Sequence, residues 1–501
     1  MERKWWTLLA TCVAMFMLLL DITIVNVALP EIQRDLDASF SDLQWVVDAY
    51  SLTLAAFLLT AGVLGDRLGR RNIFALGFLV FSVASLLCGL ATSPTFLNLA
   101  RAVQGIGGAA MFATTLALIA QEFRGSERAT AFGIWGATVG GAVAIGPLIG
   151  GALTDALGWE WIFFVNVPIG VAAIALTLTR VAESRDPSAP PVDWPGMVTF
   201  SLSLFLLIFG LVRGNAEGWE STQIVASLVG AVALMIAFVL IELRSSHPMF
   251  DLTLFRKPAF SGVSAVAFCL SAGMFSMFLY ITIYMQDILG FDPFEAGVRF
   301  LPITLLSFFV APIAGRLLTR VPARVFFGLG LGLVGTGLLL MRGLEPDSEW
   351  TALLAGFLVA GAGIGMTNPA IASTAVGVVP PERAGMGSGI NNTFRQVGIA
   401  TGIAALGAIF QHGIETRLPA NAPDGAAEGI ASSGTRFAEQ GGPQAVEVAR
   451  DAFIGSLNEI LLIGALIALA GAALGLLLTR ESDLVSHEIP GAEEPAEPAA
   501  V

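Results

Sequence analysis

Charge is what this 501-residue chain has least of. Asp, Glu, Lys and Arg make up 13% of it and hydrophobic residues 55%, against about 25% charged in an ordinary soluble chain. Mean hydropathy is +0.77. A soluble protein of this length folds as roughly three domains, each needing a polar surface these residues do not supply. A soluble enzyme is excluded. Basic residues are scarcer than acidic ones, for a net charge of −13, which excludes nucleic-acid binding through a basic patch. The three cysteines, Cys12, Cys88 and Cys269, fall in apolar stretches and form neither a disulfide framework nor a metal-ligand spacing. The histidines, His247, His412 and His487, lie outside the apolar runs. There is no nucleophile–base pair for an enzyme, no metal cluster, no soluble output domain for a sensor, and no Walker-type phosphate loop. No cofactor is expected.

Long apolar runs are what the chain does have. A helix needs about 20 apolar residues to cross a bilayer, and fourteen runs qualify. Six lie near Trp5–Leu29, Leu43–Leu64, Ile73–Ala91, Thr95–Ala120, Ala129–Leu153 and Trp161–Thr179, and two near Gly196–Val212 and Thr222–Ile241. The last six lie near Phe260–Tyr284, Gly297–Leu318, Val325–Met341, Trp350–Val376, Gly385–Phe410 and Phe453–Thr479. Backbone amides in lipid must be paired within their own segment, so these are helices; they are too long and continuous for barrel strands. The fold class is an all-α polytopic membrane protein with fourteen transmembrane helices. The first run is longer than a signal-peptide core and no small-residue cleavage site follows, so it reads as a retained span.

Basic residues orient the chain. With the amino terminus inside, 17 of the 26 Lys and Arg are cytoplasmic, 6 are external, and Arg101, Arg299 and Arg395 lie within spans. Both termini are therefore expected in the cytoplasm, on either side of a multi-pass chain in the inner (cytoplasmic) membrane. The acidic excess is spread over a long external loop, about 411–452, and a Pro/Ala-rich tail, 480–501, whose composition predicts disorder.

Two segments repeat. Gly62-Val-Leu-Gly-Asp66-Arg67-Leu-Gly69-Arg70-Arg71 is echoed 253 residues later by Gly315-Arg-Leu-Leu-Thr319-Arg320-Val-Pro-Ala-Arg324, and Glu127-Arg128-Ala129 is echoed 255 later by Glu382-Arg383-Ala384. They follow spans 2 and 10 and precede spans 5 and 13, so spans 1–6 map onto spans 9–14. The expected organisation is a six-helix bundle over 1–180, an inserted hairpin of helices 7 and 8 with linkers over 181–258, and a second six-helix bundle over 259–479. Parallel six-helix repeats rocking about a central site give secondary transporters alternating access. Without a phosphate loop, an ion gradient is left to drive uphill movement.

Intramembrane charges are functional by default, since each costs at least ~2.5–3.5 kcal/mol to insert. Asp21, Asp48 and Arg101 all fall ~8–12 Å below the outer surface at 1.5 Å per residue. At one depth, two carboxylates and a guanidinium form either a site that takes up and releases a proton or a static ion pair, Arg101 with Asp48. Arg395 lies near mid-membrane in the polar turn Asn391-Asn392-Thr393-Phe394-Arg395-Gln396, which either lines a cavity or bonds helices together. Span 5 is dense in glycine, with Gly146, Gly150 and Gly151 flanking Pro147, a pattern of close helix approach and a bent axis.

With these motifs in place, residues 1–480 resemble the major facilitator superfamily, and within it the fourteen-span drug:proton antiporters. Leu20-Asp21 to Pro30 is similar to that family's span-1 motif, Gly62 to Arg71 to the loop 2–3 signature, Leu99 to Gly107 around Arg101 and Gln104 to the span-4 motif, and Gly146 to Gly151 to the span-5 antiporter motif. The resemblance implies proton-coupling roles for Asp21 and Arg101, to which its position in the membrane adds Asp48, a conformational latch from Gly62, Asp66, Arg67, Gly69, Arg70 and Arg71, and an export bias from Gly146, Pro147, Gly150 and Gly151. Asn26, Gln104, Tyr280, Tyr284, Asn391, Asn392 and Arg395 are the candidate cavity residues. Thr319 stands where Asp66 does in the first copy, so the latch is asymmetric. The expected function is proton-coupled export of amphipathic drugs, antibiotics or dyes by a monomer; the alternative is a dedicated exporter of one endogenous metabolite.

Overall fold

A computed structural model describes residues 2–38, 40–185, 193–245, 250, 252–380, 383–419, 422–423 and 425–479. Every regular element in them is helical. The first bundle contains α1 (Arg3–Asp35), α2 (Phe40–Leu68), α3 (Arg70–Gly89), α4 (Pro94–Glu122), α5 (Gly125–Leu157) and α6 (Asn166–Arg180). A pair follows, α7 (Trp194–Glu217) and α8 (Thr222–Arg244). The second bundle contains α9 (Pro258–Ile288), α10 (Leu301–Leu317), α11 (Ala323–Leu340), α12 (Leu354–Gly377), α13 (Ala384–Arg417) and α14 (Pro443–Leu478).

Among the described residues, 12 stretches are long and apolar enough to cross a membrane, while α5 and α10 carry shorter apolar segments, Thr130–Val139 and Leu301–Leu317. Several helix starts are set by local chemistry. Ser93 caps α4 by accepting from Phe96 N at 3.4 Å ahead of Pro94, and Asp193 caps α7 by accepting from Gly196 N at 2.9 Å. Both satisfy amides that the helix leaves unpaired.

The internal repeat is visible in the packing. In the first bundle α2 packs on α4, α3 on α4 and α3 on α6; in the second α10 packs on α12, α11 on α12 and α11 on α14. The bundles meet through α2 against α13 and α5 against α10, a pairing that the same correspondence exchanges. Helices α7 and α8 pack on each other, and α7 reaches both α2 and α13, so one apolar cluster joins Leu52 and Leu59 of α2, Leu204 of α7 and Ile390 of α13.

Two expectations need correction. The loop expected over 411–452 is largely helical: α13 runs on to Arg417, Ala426–Ser433 is a helix, Gly434–Gly441 a 3-10 turn, and α14 already begins at Pro443. Its polar composition misled because an amphipathic segment folds back on the second bundle, burying Ile430 and placing Thr435 Oγ1 2.8 Å from Asp287 O and Arg436 2.5 Å from Asp287 Oδ1. Span 9 is not one regular α-helix; it includes π turns at Ser271–Phe275 and Tyr284–Ile288. The tail 480–501 lies outside the described residues.

Candidate functional site

Asp21 sits in the middle of α1, sealed inside the first bundle. Arg101 Nη1 lies 2.5 Å from its Oδ2, and Gln104 Nε2 donates to its Oδ1 at 2.8 Å. Gln104 is three residues after Arg101, so both side chains leave the same face of α4. Gln104 also accepts from Arg101 at 2.6 Å and donates to Ser85 Oγ at 2.7 Å. Asn166 Nδ2 completes the cluster, 3.5 Å from Asp21 Oδ1 and 3.3 Å from Ser85 Oγ. Arg101 is further held by Val46 O at 2.9 Å and lies over the Tyr50 ring at 4.3 Å. The Asp21 and Arg101 side chains are 0% and 1% exposed. A pair this buried depends on further hydrogen bonds to hold it, here from Gln104 and Asn166 to Asp21 and from Arg101 to Gln104 and Val46 O.

The three charges at one depth are not one cluster. Asp48 belongs to a different face of α2, and its partner is Arg213 of α7, with Nη1 3.8 Å from Asp48 Oδ2. Arg213 also holds Glu217 at 2.7 Å and lies over Trp45 at 5.4 Å. Depth along a helix does not set azimuth; the neighbours of α2 decide which partner each side meets. Gln104, a candidate for the cavity, is instead part of the Asp21 cluster.

The loop motif closes one end of the molecule. Asp66 accepts from Arg70 Nε at 2.8 Å, and its carboxylate takes Gly385 N at 3.0 Å and Met386 N at 2.9 Å. Those amides open α13, where unpaired N–H groups and the helix dipole favour an anion. Gly62 and Gly385 make the approach possible: a Cβ on Gly62 would collide with Gly385 O, and one on Gly385 would lie 2.5 Å from Gly62 O and 2.6 Å from Asp66 Oδ1. Arg67 lies among the charges of Asp193, Glu242 and Arg383. Arg71 and Gly69 serve a contact that sequence reasoning missed. Glu183, just past α6, accepts from Arg71 N at 3.1 Å and pairs with its Nε at 3.8 Å. Gly69 adopts φ +112°, and a side chain there would strike the Glu183 carboxylate. In the second copy, Thr319 bonds only its own turn, at Arg316 O, 2.9 Å.

The span-5 motif divides. At Gly146 a Cβ would collide with Thr23 of α1, and at Gly150 it would lie 2.8 Å from Ile24 Cγ1, whereas Gly151 faces open space. Gly146 and Gly150 thus seat α5 on α1 within a turn of Asp21. The side chains of Pro147 and Asn26 lie outside the described residues.

Between the bundles lies a space of about 30 Å³ lined by Val139 of α5, Phe275 and Phe278 of α9, Thr304 and Ser307 of α10, and Asn368 of α12. Arg395 donates to Asn368 Oδ1 at 3.3 Å and faces Phe275 at 5.6 Å. Asn391, one turn earlier on α13, is 3% exposed, and its Nδ2 has no partner among the described residues. Asn392 reaches only Ser388 Oγ, at 3.5 Å. Tyr280 and Tyr284 sit away from this space in the second bundle's core, donating to Ile403 O at 2.8 Å and Ser348 O at 3.4 Å.

Two related helical bundles meeting over a small central space, with charge buried in the membrane-spanning helices, define a secondary transporter. The chain matches the Major Facilitator Superfamily over residues 11–403, and it belongs to that family. It is 38% identical over 404 residues to the multidrug resistance protein Stp of Mycobacterium tuberculosis, covering 80% of this chain and 75% of the relative. It is 33% identical over 499 residues to the tetracenomycin C resistance and export protein of Streptomyces glaucescens, covering 96% and 92%. The human organic anion transporter MFSD10 (TETRAN) shares the fold alone, with a TM-score of 0.63 at 14% identity over 93% of this chain and 99% of that one.

Proposed function

We propose that this chain is a fourteen-span, proton-coupled exporter of amphipathic drugs, antibiotics or dyes, working as a monomer with both termini in the cytoplasm. The six-helix bundles are residues 1–180 and 259–479, with 181–258 the inserted pair. The observation that carries the coupling is the sealed Asp21–Arg101–Gln104 cluster: a carboxylate cut off from solvent can exchange a proton only when the bundles move, which ties protonation to the transport cycle. Asp21 takes a proton from outside, which favours the inward-facing state; cargo then binds from the cytoplasm, Asp21 loses its proton to that side and the loaded carrier opens outward, while Arg101 and Gln104 hold the carboxylate in place. The Asp66 latch closes the cytoplasmic end, and the Gly146–Gly150 seat passes movement of α5 to α1. Relatives named for multidrug resistance and for antibiotic resistance and export support the direction of transport.

The test uses everted vesicles with an acid interior, a pH-sensitive dye and a drug panel. Drug addition dissipates the gradient with the native chain and not with Asp21→Asn, which keeps the size, removes the charge and leaves one acceptor where the carboxylate has two. An Asp21→Asn variant that still exchanges protons moves the coupling role to Asp48. A second reading, a dedicated exporter of one endogenous metabolite, is favoured by the near-full-length match to the tetracenomycin C export protein; it is the outcome if no panel compound moves protons.

A further inference from the structure

Three buried guanidinium groups of the first bundle and the pair α7–α8 are neutralised by carboxylates. Arg101 has Asp21, Arg70 has Asp66, and Arg213 has Asp48 and Glu217. Arg395 does not. Its hydrogen-bond acceptor is the amide oxygen of Asn368 at 3.3 Å, and its other neighbour is the Phe275 ring. Among the described residues no carboxylate oxygen lies within 4.0 Å of its nitrogens.

Asn368 and Phe275 both line the space between the bundles. Asn368 lies against α5, where a Cβ on Gly136 would come within 3.7 Å of it, so this wall belongs to the seam that opens when the bundles part. Asn391 stands one turn before Arg395 on the same face of α13, buried and with its Nδ2 unpaired. An uncompensated cation and an unpaired donor beside aromatic side chains leave two needs unmet: a negative charge and a hydrogen-bond acceptor.

We infer that the cargo site takes an amphipathic anion, whose acidic group pairs with Arg395 and whose ring system lies against Phe275 and Phe278. The inference rests on the exporter reading for the word cargo, and on Arg395 alone for the sign of the charge. The space of about 30 Å³ is too small for a dye, so binding occurs once the bundles separate.

Fluorescein and rhodamine 6G share a xanthene frame and differ in charge, which makes them a matched pair of probes. Fluorescence anisotropy with the purified full-length chain in detergent is expected to show tighter binding of fluorescein. Arg395→Gln is expected to weaken fluorescein about tenfold, the scale of one charge-assisted hydrogen bond, and to leave rhodamine 6G unchanged. Arg395→Lys keeps the charge and retains fluorescein to within about threefold. Gel filtration of each variant checks the fold, and the Lys variant separates loss of charge from loss of structure. Tighter rhodamine 6G binding by the native chain, no fluorescein binding, or equal weakening of both dyes by Arg395→Gln overturns the inference. Vesicle transport then separates the two claims. Fluorescein bound through Arg395 but not exported removes the exporter reading and leaves the site; export of cationic or neutral drugs without fluorescein binding does the reverse.

Discussion

The two bundles repeat the same helix pairings but differ in how each surrounds one buried arginine. In the first, Arg101 is enclosed by Asp21, Gln104 and the Val46 carbonyl, and the whole cluster is shut away from the space between the bundles. In the second, Arg395 bonds Asn368 and faces Phe275, which line that space, and among the described residues no carboxylate pairs with it. The loop motif divides in the same direction: Asp66 crosses to the start of α13, whereas Thr319 stays within its own turn. A duplicated scaffold has kept its packing and split its chemistry. One copy encloses Arg101 and sends Asp66 across to the start of α13; the other leaves Arg395 on an amide oxygen.

The comparison breaks hardest at Arg101. Arg101→Leu strands the Asp21 carboxylate in a dry site and is expected to cost about 3–5 kcal/mol, seen as a lower melting temperature and folded yield in detergent. Arg395→Leu orphans no carboxylate and is expected to cost about 1 kcal/mol. Equal losses at the two positions would end the distinction between the two arginines.

The latch sharpens it. Asp66→Ala removes the acceptor for two helix-opening amides and the partner of Arg70, at an expected cost of about 2–4 kcal/mol to the closed end. A cysteine placed at Ala384, which is 1% exposed, then reacts several-fold faster with a membrane-impermeant thiol reagent, while Thr319→Ala leaves the rate unchanged. The smallest effect is expected at Asp48 and Arg213. Their 3.8 Å contact predicts a coupling of about 0.5–1 kcal/mol in a double-mutant cycle on thermal stability, well below the value for Asp21 with Arg101.

Much of this was readable from the residues, because lipid leaves a backbone few choices and an apolar run long enough to span must be a helix. The bundle correspondence followed from two short echoes, and the depth of Asp21 and Arg101 from counting along their helices. Azimuth was not readable: Asp48 shares their depth and faces α7 instead. Gln104 carried a usable signal, its three-residue spacing from Arg101 on one helix face, whereas Ser85 and Asn166 arrive from other helices that no local pattern links to Asp21. Glu183 was hidden for the same reason, since its contacts lie more than 110 residues away in the chain. The segment 426–441 reads as loop because its polar residues mask a buried side made by Ile430 and Ala438.

Helix α7 has a consequence for how a membrane-dissolved molecule reaches this protein. It lies against both α2 and α13, with Asn215 Nδ2 bonded to Ala404 O at 3.1 Å on one side and Trp45 stacked on Phe209 on the other. A hydrophobic compound diffusing sideways through the bilayer therefore finds the α2–α13 seam already roofed. The pair α7–α8 makes the carrier lopsided: it covers the seam of α2 with α13 and packs on neither partner of the seam where α5 meets α10.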